Sequence, residues 1–380
     1  MKKILYLITE DWFFCSHFFE RAKSAVATGY EVIVMANDNG KAHQIKSAGI
    51  KFIPLKISRK SKNPFKELIS LTRIFYFYLK ERPDIVHQIA IKPILYGTLA
   101  ARLAGLGKVV NAPVGMGYFF SSRDFIAKIA RPLIIFAFKI LLNPRGSKVI
   151  FENKDDMRDF IISGIVDASD AVLIRGAGVN LIEYKKFQVD DGKTSTPIVV
   201  LIARMLKDKG IFEFLAAARI VNKNGVIARF VLVGDADPEN PASISSEVLS
   251  QYDGNFGVEY WGWRDDVAAV LAQSYAVCLP SYREGLPKVL LEAAAAGLPI
   301  ITTDAVGCRE VVIDGFNGYI VPVRDFVLLA DAIRRIVDTP EIARVMGANG
   351  RQKVVDEFSN SIVIEKTLNL YDDILAEKAS

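Results

Sequence analysis

The sequence predicts an α/β protein built from two arrays of strands and helices, each organised on a parallel sheet. Short β-branched apolar runs alternate with helical patterns from end to end, as in repeated βα units. One polar stretch with Gly and Pro, Lys185 to Pro197, interrupts the alternation and reads as a linker. A chain of 380 residues is long for one compact domain and suits two. In the first array strands are expected near Lys3–Ile8, Glu31–Ala36, Lys51–Leu55, Asp84–Gln88, Lys108–Ala112, Lys148–Glu152 and Val172–Arg175. In the second they are expected near Ile198–Ala203, Arg229–Val233, Val258–Gly262, Ala276–Leu279, Pro299–Thr303 and Tyr319–Val321. Near the C-terminus Ile364, Leu368, Tyr371 and Leu375 fall on one face of a helix. The expected division is a first domain 1–184, a linker 185–197, a second domain 198–360 and a final helix 361–380. Two such arrays leave a cleft, and parallel sheets take ligands beyond the carboxyl ends of their strands.

Composition narrows the function classes. Cys15, Cys278 and Cys308 lack metal-like spacing and point to a reducing compartment without a disulfide framework. His17, His43 and His87 are scattered, so no zinc site is expected. Lys2 and Lys3 precede only a short apolar run, a first strand rather than a signal peptide. Charge is uneven: residues 51–150 hold 18 Lys/Arg against 4 Asp/Glu. Such a field suits an anionic membrane surface or nucleic acid, or is plain solvated surface.

The densest signal is Ser281-Tyr-Arg-Glu-Gly-Leu-Pro-Lys-Val-Leu-Leu-Glu292. A strand runs into it, Pro280 and Gly285 break the strand, and Pro287 suits the first position of a helix that Gly297 stops. Glu284 then lies just before the helix and Glu292 in its second turn. The helix start suits an anion such as a diphosphate. Carboxylates beside it suit sugar and ribose hydroxyls, which donate to them. Arg204 and Lys209, in Arg-Met-Leu-Lys-Asp-Lys-Gly210, sit at the carboxyl end of another strand of the same array. Two fixed cations there suit a diphosphate and the charge that develops as it leaves.

The Glu-x7-Glu spacing of Glu284 and Glu292, the Ala-rich run to Asp304 and the Arg-x4-Lys-Gly loop resemble the family 4 retaining glycosyltransferases, which have the GT-B fold. The resemblance implies two Rossmann-like domains facing a cleft, with a C-terminal helix crossing back to the first. It implies that Arg204 and Lys209 bind the donor diphosphate, that Glu284 meets the donor sugar and Glu292 the ribose, and that Gly285, Leu286, Pro287 and Lys288 line the donor. The donor is expected to be a UDP-sugar, with no metal or other cofactor. The loop Trp261-Gly-Trp-Arg-Asp-Asp266 lies near the base in this family, so Trp263 and Arg264 are either base contacts or part of a capped turn begun by Asp265 or Asp266. Asp235-Ala-Asp237 imitates a metal-binding triplet of the other large glycosyltransferase fold but follows a strand and heads into prolines, and reads as a loop.

In the first half, Asp11-Trp-Phe-Phe-Cys-Ser-His17 on a loop after the first strand, His87-Gln-Ile-Ala-Ile-Lys-Pro93 with Tyr96-Gly97, and Val114-Gly-Met-Gly-Tyr118 resemble the subgroup that builds capsules, O-antigens and lipid-linked oligosaccharides. Its close relatives add N-acetylhexosamine to a diphospho-undecaprenol-linked sugar. His17 is then a catalytic or sugar contact, or a packed histidine; Lys92 meets the lipid diphosphate, or is surface charge; Gly115 and Gly117 lie at the acceptor. Where relatives carry a Gly-rich loop after the first strand, this chain has aromatics. Phe65 to Leu79 and Phe125 to Leu142 are aromatic or aliphatic with interleaved basic residues, too interrupted to span a bilayer, and are either interfacial or buried helices.

The expected activity is sugar transfer from a UDP-sugar to a polyprenyl-diphosphate-linked saccharide, by a peripheral protein on the inner, cytoplasmic face of the membrane. Two alternatives stand beside it: a UDP-sugar epimerase of the same fold, and a nucleic-acid binder using the basic first half. The second lacks an RNA or DNA motif and leaves Arg204, Lys209, Glu284 and Glu292 unexplained together.

Overall fold

The computed structural model describes residues 1–58, 63–114, 125–142, 146–184, 196–223, 228–238 and 240–377, and only the backbone at 125–131 and 134. The chain forms two compact units, Met1–Ala177 with Asn360–Ser380, and Gly178–Ser359. The sequence suggests a division after 184, yet Val179 and Tyr184 are buried in the core of the second unit, so the units part at Ala177. Of the expected linker, 185–195 lies outside the described residues.

The first unit has a seven-stranded sheet of β1 (Lys3–Glu10), β2 (Glu31–Asn37), β3 (Lys51–Pro54), β4 (Ile85–Ile89), β5 (Val109–Ala112), β6 (Ser147–Phe151) and β7 (Ala171–Leu173), in the order β3-β2-β1-β4-β5-β6-β7. All pairings are parallel, for example Leu5 beside Ile33 and Val86. Strand side chains alternate between two buried faces. Leu5 and Leu7 join Ile33, Met35 and Val86 on one; Ile4, Tyr6 and Ile8 join Val32, Val34 and Ile85 on the other. Burial on both faces explains why these strands read as unbroken apolar runs.

Helices Pro64–Glu81, Ile91–Leu103 and Phe125–Leu141 form a layer on the first face and beside it. Helices Asp11–His17, Phe19–Ala27, Ala42–Ser47 and Asn360–Ala376 cover the other. The last of these is the C-terminal helix, packed against Phe19–Ala27. Its buried stripe is Val363, Thr367, Leu370, Tyr371 and Ile374, with Leu368 and Leu375 at the flank. The periodic set read from the sequence is thus rotated by about one position, because Val363 and Ile374 are as apolar as their neighbours.

The second unit repeats the plan with six parallel strands: β8 (Ile198–Ile202), β9 (Arg229–Val233), β10 (Val258–Gly262), β11 (Ala276–Leu279), β12 (Ile300–Thr303) and β13 (Gly318–Val321), ordered β10-β9-β8-β11-β12-β13. Two clusters sandwich the sheet, one under Ile211–Lys223 and Phe326–Asp338, the other under Lys288–Ala296 and Pro340–Glu357. In both sheets the order reverses between the first and fourth strands of the unit. Ligand crevices of open α/β sheets lie at that reversal, at the carboxyl ends. In the second unit the reversal is between β8 and β11; in the first, between β1 and β4.

Candidate active site

The loops after β8 and β11 carry most of the donor candidates, and the structure laces these loops together. After β8 the chain passes Arg204 and makes a short 3-10 turn, Lys207–Lys209, that ends at Gly210 in a left-handed conformation (φ +74°). A Cβ at Gly210 would lie 2.2 Å from the Pro280 carbonyl oxygen, so no other residue fits so close to the β11 loop. The Tyr282 amide donates to the Asp208 carbonyl at 2.9 Å.

This contact brings Lys209 onto Glu284. Lys209 Nζ donates to both carboxylate oxygens of Glu284, at 2.6 and 2.7 Å. Ser281 Oγ donates to the same carboxylate at 2.6 Å, and Thr303 Oγ1 donates to the Ser281 carbonyl. The side chains of Lys209 and Glu284 are 16% and 11% exposed. A desolvated, three-way-bonded pair of this kind fixes both groups and leaves little freedom to either.

The backbone of Glu284 is clamped from the other side. Its amide donates to the Val306 carbonyl at 3.0 Å. Gly307, at φ +81°, brings the loop after β12 so close that a Cβ there would lie 2.5 Å from the Gly285 carbonyl oxygen. Gly307 and Ser281 are positioning residues that the motif reading passes over. A glycine in Asp304-Ala-Val-Gly307 resembles any turn until the neighbouring loop is seen.

Pro287 is the cap of the Lys288–Ala296 helix, with extended ψ 109°, rather than its first residue; Gly297 ends the helix at φ +78° as expected. Glu292 is 6% exposed and held in place. Lys288 Nζ lies 3.2 Å from its Oε1, one turn back, and the Tyr184 hydroxyl is its second partner. Burial pushes the Glu292 carboxyl above the usual carboxylate range, opposed by Lys288 and the Tyr184 hydrogen bond. Leu286 is buried in the core beneath this helix.

The remaining candidates of this unit are engaged locally. Arg204 Nη1 donates to Asp237 Oδ2 at 2.8 Å, and the arginine side chain stays 43% exposed. Half of the Asp235-Ala-Asp237 triplet is therefore committed to a cation. Among the described residues no group of three or more His, Cys, Asp or Glu is placed to hold a metal ion. Arg264 makes a two-pronged contact with Asp266 at 2.7 and 2.6 Å, while Trp263 is 69% exposed. Asp266 does stand at the cap of Val267–Ala272, but its side chain bonds Arg264 instead of a helix amide.

In the first unit Asp11–His17 is a helix, not the expected loop. The Asp11 carboxylate is fully buried and accepts from the Asn39 and Lys41 amides at 2.8 and 2.9 Å, which pins the turn after β2 to the end of β1. His17 stacks on Phe13 one turn earlier, with ring centroids 4.2 Å apart. Lys92 opens the Ile91–Leu103 helix at the end of β4 and donates to Glu67 Oε1 at 2.9 Å and to the Ser58 carbonyl at 2.7 Å. Gly115 and Gly117 lie outside the described residues. His87 is a core residue. Its Nδ1 lies 2.7 Å from the Tyr371 hydroxyl, which lies 2.8 Å from the Tyr6 hydroxyl. Burial, with Arg21 nearby, lowers its pKa to about 3.

The Glycosyl transferase 4-like family model matches residues 3–153, and the Glycosyl transferases group 1 model matches residues 196–339. The chain is 28% identical to the N,N'-diacetylbacillosaminyl-diphospho-undecaprenol alpha-1,3-N-acetylgalactosaminyltransferase of Campylobacter jejuni, over 91% of this chain and 92% of the relative. It is 28% identical to the UDP-Gal:alpha-D-GlcNAc-diphosphoundecaprenol alpha-1,3-galactosyltransferase of Escherichia coli, over 82% and 81%. Among solved structures, Anabaena HepE in complex with UDP and glucose superposes with TM-score 0.79 at 18% identity, covering 98% of this chain and 100% of that one. Two parallel α/β units of this kind are the GT-B architecture, and the protein is a glycosyltransferase. The chain belongs to the family 4 glycosyltransferases. These matches favour sugar transfer over the epimerase and the nucleic-acid binder.

Proposed function

We propose that this enzyme moves a sugar, an N-acetylhexosamine, from a UDP-sugar to a polyprenyl-diphosphate-linked saccharide with retention at the anomeric carbon. The observation that carries the reading is the Lys209–Glu284 pair at the reversal of the second sheet. A cation held there by a carboxylate suits the donor diphosphate, and interactions that strengthen as the diphosphate leaves raise the rate. Arg204 adds a second, more exposed cation. Glu284 serves the donor sugar and Glu292 the ribose, with Trp263 and Arg264 near the base. His17 and Lys92 belong to the acceptor side, Lys92 after exchanging its Glu67 contact. The two cations and the helix start after Pro287 do the work for which other glycosyltransferases use a divalent metal.

The acceptor class is supported by the names of the two relatives, both of which act on diphospho-undecaprenol-linked sugars. Such an acceptor is reached only at a membrane surface. We place the enzyme on the inner face of the cytoplasmic membrane, held through its first unit to anionic lipid, with no nucleic-acid partner. Among the described residues no helix is long and apolar enough to cross a membrane.

The test is a thermal-shift screen of UDP-, GDP- and ADP-sugars, followed by transfer to a diphospho-polyprenol-linked sugar. A donor at 100 times its Kd should stabilise the protein by about 2.7 kcal/mol. Stabilisation by UDP-sugars and transfer to the diphospho-polyprenol-linked sugar would bear out the reading. Stabilisation by GDP- or ADP-sugars alone would replace the donor, and transfer only to a free sugar would replace the acceptor.

A further inference from the structure

The helical layer of Pro64–Glu81, Ile91–Leu103 and Phe125–Leu141 turns an unusual surface to solvent. Its inward residues, such as Ile74, Tyr78, Ala100 and Phe138, are fully buried against the sheet and its flank. Its outward side is apolar as well. Phe65, Ile69, Tyr76, Leu103, Leu133 and Phe136 are each more than half exposed. The first and second helices are packed neighbours, as are the second and third, so these side chains belong to one layer. Large apolar side chains repeated along adjacent helices mark a docking surface rather than ordinary scatter. The opposite layer gives the internal control: on Asp11–His17, Phe19–Ala27, Ala42–Ser47 and Asn360–Ala376, only Trp12 is a large exposed apolar side chain.

Charge decides the occupant. Lys66, Arg73, Lys80, Arg102 and Lys139 are exposed among these residues. The three helices contain two acids, Glu67 and Glu81, and both are spoken for. Glu67 accepts from Lys92 and Tyr96, and Glu81, 7% exposed, accepts from Lys51. The outward side therefore combines cations with apolar side chains and offers no free carboxylate. A protein partner of mixed charge would leave these cations unmatched. An anionic leaflet matches them all, with the apolar side chains entering the acyl boundary.

We infer that this three-helix layer is the membrane-docking face, seated on anionic phospholipid with Phe65, Ile69, Tyr76, Leu133 and Phe136 inserted. The inference rests on the lipid-linked acceptor proposed above and names the surface that meets the lipid. Among the described residues no helix is long and apolar enough to span, and the layer lies in the interface.

The experiment is flotation of the full chain with phosphatidylglycerol-containing vesicles and with phosphatidylcholine vesicles, across a salt series. Wild type should float with the anionic vesicles at low salt and be released as salt rises. The double variants Ile69→Ser/Phe136→Ser and Lys66→Glu/Arg73→Glu should each lose at least tenfold in partitioning. The exposed Phe316→Ser, on the second unit, should float as wild type does. UDP-sugar thermal shifts read the donor site separately, so a failure there leaves the flotation result interpretable and vice versa. In Phe136→Trp, added fluorescence should be quenched by brominated lipid. Unchanged flotation of both double variants, or no quenching, overturns the face. Concentration-dependent dimerisation abolished by Ile69→Ser/Phe136→Ser without vesicle binding would overturn it in favour of a second copy.

Discussion

The two sheets share one strand order and therefore one kind of crevice, yet the crevices are furnished differently. At β8/β11 the loops carry a partly buried cation–carboxylate pair, and glycines bring backbone within van der Waals reach. At β1/β4 they carry aromatic rings, a buried Asp11 that fastens a neighbouring turn, and Lys92 tied to Glu67. The β8/β11 arrangement concentrates fixed charge where the proposed function puts the donor diphosphate. The β1/β4 arrangement offers ring faces and one ion pair, Lys92 with Glu67, in keeping with the acceptor role proposed for it. Topology supplies the place in both cases; side chains make the two places different.

The difference can be broken by substitution, and the largest effect is expected at Lys209. Lys209→Ala leaves the Glu284 carboxylate buried beside Ser281 without its cation. Breaking a fully buried pair from one side costs about 3–5 kcal/mol, and this partly buried pair should cost somewhat less. Both denaturant stability and turnover should fall. If Lys209→Ala unfolds as wild type does, the pair is not desolvated in solution.

Next is Glu292. Glu292→Ala should weaken UDP-sugar binding by about 1.5–3 kcal/mol, the range for a hydrogen bond to a charged group. Calorimetric titration reads this directly, and unchanged affinity removes Glu292 from the ribose. Glu292→Gln separates binding from folding. Burial raises the folded pKa of Glu292, so the folded state holds the proton longer than the unfolded chain does. That contribution to stability is present below the ordinary carboxylate pKa and is lost as pH rises through the raised value. The glutamine variant should therefore show a flatter stability–pH profile than wild type over that window. An unaltered slope would contradict the burial.

A smaller effect is expected in the first unit. Tyr371→Phe removes the hydroxyl between His87 and Tyr6 and leaves buried polar atoms without it, at about 1–3 kcal/mol. UDP-sugar affinity should be unchanged, since the residue serves the other unit. A loss of donor affinity would show that the two crevices are not separable.

Most of the fold was legible. The thirteen strands among the described residues lie within two residues of where apolar runs place them, most plainly the central ones, which are buried on both faces. The Asp11–His17 helix was not legible. Its aromatic run looks like a loop until Phe13 and His17 are seen one turn apart and Asp11 is seen bonding Asn39 and Lys41. Glu284, Glu292, Arg204 and Lys209 could be picked out by motif, but their pairings could not. Lys209 meets Glu284 because β8 and β11 are neighbours in the sheet, and sequence separation conceals that. Gly307 and Tyr184 escaped for the same reason, since each acts on a residue far from it in sequence; Ser281 is only three residues from Glu284, but a serine in a turn carries no signal of its own.

A smaller structural effect than at Lys209 belongs to Arg204, and it gives the cleanest test of the donor site. Its ion pair joins a 43% exposed arginine to an 11% exposed Asp237 carboxylate, so losing it should cost more than the roughly 0–1 kcal/mol of a fully exposed pair but less than loss of the Lys209–Glu284 pair. Denaturant unfolding of the variant, read alongside its rate, separates damage to the fold from damage to the site. The decisive measurement is single-turnover sugar transfer from a UDP-sugar by wild type and Arg204→Ala, each in excess EDTA. The account predicts full wild-type activity in EDTA and a rate at least tenfold lower for a stably folded Arg204→Ala. Equal rates for the two proteins, or wild-type activity that vanishes in EDTA and returns with magnesium or manganese, would contradict it.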